Sequence, residues 1–288
     1  MKRTAHSLLQ ESCLTLPSFG WLLLFFLIPA LILYTFAFRQ VDENGAALPG
    51  WTAAPLSRLL EPTSLQIAWR TIWLSVSATI LCVVAAIPVA YSMAVSSEKR
   101  QRLLLLLVVI PLWSSFLVRI YAWKVVLHPE GIVKTVLVSC GLISESTSLL
   151  YNNVAVLLVM VYSYLPFAIL PLYSAASKFN FSLFEAAQDL GATRKRAFFS
   201  VFIPVMKPAM LTASLMVLIP AAGAYVIPEI VGGKGAEMLG NTIARRVFID
   251  RNLPDASALA LLLTTIIFIP ALAIATCKAT AAIGRGKM

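Results

Sequence analysis

A chain of 288 residues that is 59% hydrophobic and only 12% charged, with a mean hydropathy of +0.85, falls outside the ordinary soluble class, in which about a quarter of residues are charged. Its 23 Lys and Arg against 13 Asp and Glu leave a net charge of +10. Those charges are scattered among apolar runs, so they read as determinants of membrane orientation and argue against a nucleic-acid footprint.

Crossing roughly 30 Å of hydrocarbon takes about 20 apolar residues in a helix. The first run that qualifies is 19–38, preceded by Lys2, Arg3 and His6. It is longer than the apolar core of a signal peptide, and Arg39 stands where a small cleavage residue is needed, so an uncleaved first span is expected. Residues 39–66, with Asp42, Gly45, Pro49 and Trp51, read as a turn-rich surface loop. The second span is 71–97. The third, 103–118, meets Arg119 but continues through Ile120, Tyr121, Ala122 and Trp123, which puts Arg119 near its outer end. Residues 128–145 predict a short helix along the membrane surface, with Ile132, Val133, Val136 and Leu137 as its apolar stripe. Spans four, five and six are 146–177, 208–228 and 256–277.

Six spans put both termini on one side. The basic clusters Lys2-Arg3, Lys99-Arg100, Arg194-Lys195-Arg196 and the tail from Lys278 to Lys287 share that side, whereas most acidic residues lie opposite. The Lys/Arg bias therefore predicts both termini, and residues 178–207, in the cytoplasm. Residues 232–255, with Gly232, Gly233, Gly235, Arg245, Arg246, Asp250 and Arg251, fall outside, as a solvated loop or a contact surface for another protein. Nothing marks a second domain, so one membrane domain, 1–288, is expected.

The one long polar insertion is 185–204. Ser182 three residues before Glu185 has capping-box spacing. Leu183, Phe184, Ala187 and Leu190 give the helix an apolar side, and Gly191 sits where a left-handed residue would end it. Thr193 can cap a second helix, in which Phe198, Phe199 and Phe202 share a face until Pro204 and Pro208 interrupt it. Arg194, Lys195 and Arg196 then fall in a first turn, where cations oppose the helix dipole and call for an acidic partner or anionic lipid. Glu185-Ala186-Ala187, with Asp189, Gly191 six residues after the Glu and Pro204 thirteen after the Gly, resembles the EAA loop of the membrane subunits of bacterial ABC importers. The resemblance implies that these residues couple to an ATPase.

Chemistry-bearing patterns are few. A phosphate-cradling GxxxxGK[ST] loop is missing, since Gly233-Lys234 is followed by Gly235 and position 228 is Pro. Cys13, Cys82, Cys140 and Cys277 form no CxxC, and His6 and His128 fall on opposite sides, so neither metal nor catalytic chemistry is expected. Prolines 88, 111, 166, 171, 220, 228 and 270 lie in or beside spans, where the freed carbonyls need protein or a water-filled cavity. The segment 219–235 is the densest, and Tyr225, Pro228 and Glu229 are candidates for the pathway or its gate. Arg119, Tyr121 and Trp123 are further candidates, with interfacial anchoring as the alternative.

The stretches 117–123, 162–173, 184–192, 219–233 and 251–258 resemble permeases of putrescine and spermidine importers, a subgroup whose relatives also carry opines and aminophosphonates. This implies an all-α integral membrane protein with the type I ABC importer (MetI-like) permease fold, a bundle of six transmembrane helices with both termini inside. It also implies a small solute as cargo, a polyamine or related amine or opine. The implied partners are a second, non-identical permease, two cytoplasmic ATPase subunits that would bind ATP and Mg, and an extracytoplasmic solute-binding protein. No cofactor is expected in this chain. The alternative, a secondary transporter driven by an ion gradient, would need buried Asp, Glu or His relays and broken helices repeated in two halves.

Overall fold

The computed structural model describes residues 15–42, 45 and 47–285, with side chains throughout except at 234 and 270–285. The described residues are predominantly helical and fall in two compact units, one of those up to Leu65 with Thr242–Thr265 and the other of Gln66–Asn241 with those from Ile266 onward.

The first unit begins with α1 (Thr15–Phe36), whose most apolar stretch buries no side chain. A helix that is apolar on every side belongs in lipid or against another subunit. Its Leu23–Leu27 turn widens to a π-turn, closed by Ile28 N–H donating to the Leu23 carbonyl, just before Pro29. The expected surface loop contains a β-hairpin, β1 (Arg39–Val41) antiparallel to β2 (Ala47–Trp51), with the Arg39 guanidinium 4.8 Å from the Trp51 ring centre. Asn252 opens the last helix, which runs from Leu253 to Arg285. Asn252 Oδ1 accepts from the Asp255 N–H at 3.0 Å, and its Nδ2 donates to Asp255 Oδ2 at 2.9 Å. Arg58 Nη1 donates to both oxygens of the same carboxylate, at 3.0 and 2.8 Å. Asp255 is buried, so this pairing is what lets the charge sit there.

The second unit holds the main core. α2 (Pro62–Ala94) is 33 residues long, and its buried Thr71, Ser75 and Thr79 donate to carbonyls one turn back at 2.7–2.8 Å. These hydroxyls are satisfied within their own helix and cost little in an apolar setting. α3 (Glu98–Trp113) and α4 (Phe116–Val126) are bent by 93°. The expected third span, counted through Trp123, is therefore bent at residues 114–115. The short α5 (Ile132–Ser139) is present as predicted, with Ile132 83% exposed at its outer face. α6 (Asn153–Ala176) starts seven residues later than expected and runs through Pro166 and Pro171 without a break. It packs along α8 (Arg194–Ala222), where the Tyr164 hydroxyl donates to the Pro220 carbonyl at 3.3 Å. Between them lies α7 (Ser182–Asp189), and after α8 come α9 (Leu239–Phe248) and α10 (Leu253–Arg285).

Four helices, α1, α2, α6 and α8, are long and apolar enough to cross a membrane, and the bent pair makes a fifth. The sixth expected span, 256–277, falls within α10, whose described side chains extend to Ile269 and are mostly apolar. His6 and Cys13 lie outside the described residues, as does the side chain of Cys277. Cys82 and Cys140 are free thiols.

Asn252→Ala removes both the cap of α10 and a partner of buried Asp255, and should lower stability by about 1–2 kcal/mol. Thermal unfolding in detergent should show a clear drop in Tm. Arg102→Ala, which deletes an exposed ion pair with Glu98, should leave Tm unchanged.

Candidate functional site

The polar insertion folds as a helix-turn-helix elbow. Its first helix, α7, is not capped by Ser182 and Glu185 as a box. Asn180 Oδ1 accepts instead from the Ser182 N–H at 3.1 Å and from the Ser182 hydroxyl at 2.8 Å. The end of α7 follows the prediction. Gly191 has φ +86°, its N–H donates to the Gln188 carbonyl, and the Ala192 N–H reaches back to the Ala187 carbonyl. That pair of bonds is a Schellman cap, which requires the left-handed residue. Thr193 Oγ1 accepts from the Arg196 N–H at 3.3 Å, opening the second arm.

Pro204 and Pro208 do not interrupt that arm. The helix from Arg194 to Ala222 is continuous, because residues 198–202 form a π-turn closed by Ile203 N–H donating to the Phe198 carbonyl. The widened turn absorbs the missing N–H and ring clash of Pro204, as the turn before Pro29 does in α1. The basic triplet therefore opens a long transmembrane helix.

An aromatic cluster holds the elbow. Tyr91, near the end of α2, packs against Phe198, Phe202, Phe181 and Phe184 at centroid distances of 5.3, 5.1, 6.2 and 6.2 Å. Phe179 joins at 5.3 Å from Phe202. Phe202 and Phe184 are buried, with Ala176, Ala197 and Met206 completing the cluster. Phe199, expected to share this face, points away and is 67% exposed. Leu183 and Leu190, expected on the packed side of α7, are also outward, Leu190 at 91%. Of the motif residues, Ala187 faces the cluster, whereas Glu185, Ala186, Asp189, Gly191 and Pro204 are exposed. The outer face thus offers apolar Leu183, Ala186, Leu190 and Phe199 between carboxylates and the exposed Arg194, Lys195 and Arg196. Tyr91, Phe179 and Asn180 were missed in the sequence. Asn180 alone had a local signal, as an Asx turn two residues before a helix start.

The other candidates lie on two breaks in regular structure that meet. At the α3–α4 bend, Arg119 Nη1 donates to the Pro111 carbonyl, and to Ser114 O and Oγ at 3.2 Å each. A cation bound to the last carbonyls complements the C-terminal end of α3, so Arg119, expected near the outer end of the third span, clasps the corner of its bend. Trp123 packs edge-on to Tyr162 at 5.2 Å, and Tyr121 is 52% exposed. α8 stops at Gly223, a short π-turn, Pro228–Gly232, follows, and α4 packs against that turn. Phe116, Tyr164, Pro220, Gly223, Ala224 and Tyr225 line a cavity of 150 Å³ between them.

Buried Asn241 organises this second break. Its Oδ1 accepts from the Met238 N–H at 2.7 Å, and its Nδ2 donates to Glu229 Oε2 at 3.2 Å. The neighbouring Leu239 N–H donates to Thr71 Oγ1 at 2.8 Å. The Glu229 carboxylate is thereby oriented while remaining exposed, one helical turn from Tyr225, whose carbonyl accepts the Glu229 N–H. Pro228 is buried. A Cβ at Gly240 would come within 2.4 Å of the Ala224 carbonyl oxygen, so only glycine permits this approach. Among the described residues, no group of three or more potential metal ligands converges.

A family model described as binding-protein-dependent transport system inner membrane component matches residues 86–279. The chain is 39% identical over 249 residues to the spermidine/putrescine transport system permease protein PotB of Haemophilus influenzae, covering 86% of this chain and 87% of that protein. Its fold matches that of a bacterial ABC transporter involved in the import of the acidic polysaccharide alginate, with a TM-score of 0.73 over 90% of this chain and 91% of the other at 18% identity. The alginate transporter in complex with alginate pentasaccharide-bound periplasmic protein gives 0.68 at 17%, covering 90% of each chain.

Phe202→Ala should excavate the aromatic cluster at a cost of about 3–5 kcal/mol, seen as a lower Tm and as faster proteolysis between residues 178 and 207. Phe199→Ala, on the exposed face, should change neither.

Proposed function

Because the chain belongs to the binding-protein-dependent transport system inner membrane component family, we infer that it lines the pathway by which an importer admits a polyamine, or a related small amine or opine, into a bacterial cell. It is a permease subunit of a binding-protein-dependent ABC importer, and several of its helices span the membrane. The observation that carries the cargo class is the 39% identity to a spermidine/putrescine permease over nearly the whole of both chains. The fold alone would not carry it, since a transporter of an acidic polysaccharide has the same one.

In this reading the elbow is the coupling element of an N-in, C-in subunit in the cytoplasmic membrane. Separate ATPase subunits bind ATP and Mg and dock on Glu185, Ala186, Asp189, Leu190 and Gly191. A differential interaction with two states is what a conformational change requires, and nucleotide-driven closure of the ATPases would supply it. The Tyr91 cluster supports transmission, because an elbow clamped to α2, α6 and α8 moves with them. A second permease completes the pathway, and an extracytoplasmic binding protein delivers the solute, as the periplasmic protein seated on the alginate transporter supports.

For a di- or tricationic amine, the barrier is desolvation of ammonium groups, which a fixed carboxylate and aromatic faces offset. Glu229, held by Asn241, and exposed Tyr225 are suited to that role on the pathway. An ion-gradient carrier finds less support. Among the described residues the buried carboxylate is Asp255, and it is already paired with Arg58.

Leu190→Asp should leave Tm and membrane insertion intact while ATPase co-purification and labelled-spermidine uptake fall to background. Gly191→Asp should do the same with a small loss of stability, about 1–2 kcal/mol for a left-handed non-glycine residue. Glu229→Gln should keep the ATPase bound and raise the KM for uptake about tenfold, the scale of one charge-assisted contact. Normal uptake by Leu190→Asp with the ATPase retained would refute the coupling role. An unchanged KM in Glu229→Gln would remove that residue from the pathway.

A further inference from the structure

At the far end of α2 from the elbow, Gln66, Trp69, Arg70 and Trp73 recur at spacings of three and four, so they form one stripe on the helix. With Asn153, the first residue of α6, they line an open cavity of 400 Å³. Arg70 lies 21 residues before Tyr91, about 32 Å along the helix. Residues 71–90 between them carry no charge. The stripe and the elbow thus sit at opposite faces of one bilayer thickness.

The lining has a definite chemistry. Arg70 Nη1 makes a long bond, 3.3 Å, to the Glu237 carbonyl, and its other N–H groups have no partner among the described residues. The buried Oδ1 of Asn153 has none either. That oxygen is an acceptor, so Asn153 can serve an anion only through its Nδ2 donors. No carboxylate lines the cavity, which makes it unsuitable for a polyamine and suitable for an anion. The site also lies at the N-terminus of α6, where the helix dipole favours negative charge. Trp69 and Trp73 are 68% and 45% exposed, and at this depth indole rings rest against the ester and upper acyl region of lipids.

We propose that this cavity is a binding site for an anionic phospholipid, its phosphodiester held by Arg70, Gln66 and Asn153 and its glycerol backbone seated between Trp69 and Trp73. The proposal rests neither on the pathway role of Glu229 nor on the coupling elbow, so its failure would leave the transport role standing.

The test is native mass spectrometry of the full-length chain, delipidated in detergent and titrated with phosphatidylglycerol or phosphatidylcholine. Phosphatidylglycerol should be retained about fivefold more than phosphatidylcholine, the scale of one arginine at a lipid surface. Arg70→Gln should abolish that preference. Trp73→Leu should weaken retention of both lipids without changing the preference, which covers the case in which Arg70→Gln does not fold. Equal retention of the two lipids by the wild type, or an unaltered preference in Arg70→Gln, would overturn the proposal. Displacement of phosphatidylglycerol by millimolar inorganic phosphate would also overturn it, assigning the site to a free anion.

Discussion

The packing of Tyr91 against four phenylalanines of the elbow region is the interaction on which the remainder of the functional structure depends. α7 has eight residues and the regular first segment of α8 only four before its π-turn. Isolated helices that short are not stable in water. Their order comes from aromatic edges and faces meeting Tyr91, Phe179 and Phe202 at 5–6 Å. Each such pair adds about 0.5–1.5 kcal/mol beyond the area it buries. The outcome is an exposed surface with a rigid base, and its residues are free for a partner because others do the holding.

Backbone satisfaction explains the remaining architecture. Inside lipid, each place where a helix stops must have its freed groups bonded. Arg119 closes the end of α3. Gln101 closes the end of α2 through Ala94 and Ser96 carbonyls. Asn241 and Thr71 take the N–H groups at the start of α9. One of these closures, by Thr71, draws on a side chain 168 residues away, so that break is a tertiary feature. The Glu229 carboxylate is oriented as a by-product of the same requirement.

Local rules therefore reached only part of the structure. The Gly191 turn and the Thr193 cap follow from residue type and spacing alone, and both stand in the structure. The apolar side of α7 was placed wrongly, because Leu183 and Leu190 have the same periodicity as Phe184 and Ala187. Only the position of Tyr91, some 90 residues earlier, decides which flank is inside. The α3–α4 bend escaped notice because Ser114 and Ser115 are unremarkable in composition, and the acceptors that Arg119 reaches become available only once the chain has turned. Pro204 and Pro208 suggested a stop, but a π-turn accommodates the first within a continuous helix.

The unburied α1 has a consequence for biogenesis. A segment that makes almost no enclosed contacts can partition into the bilayer as soon as it leaves the translocon, before any later segment has been synthesised. Its insertion is thus uncoupled from the maturation of the central bundle.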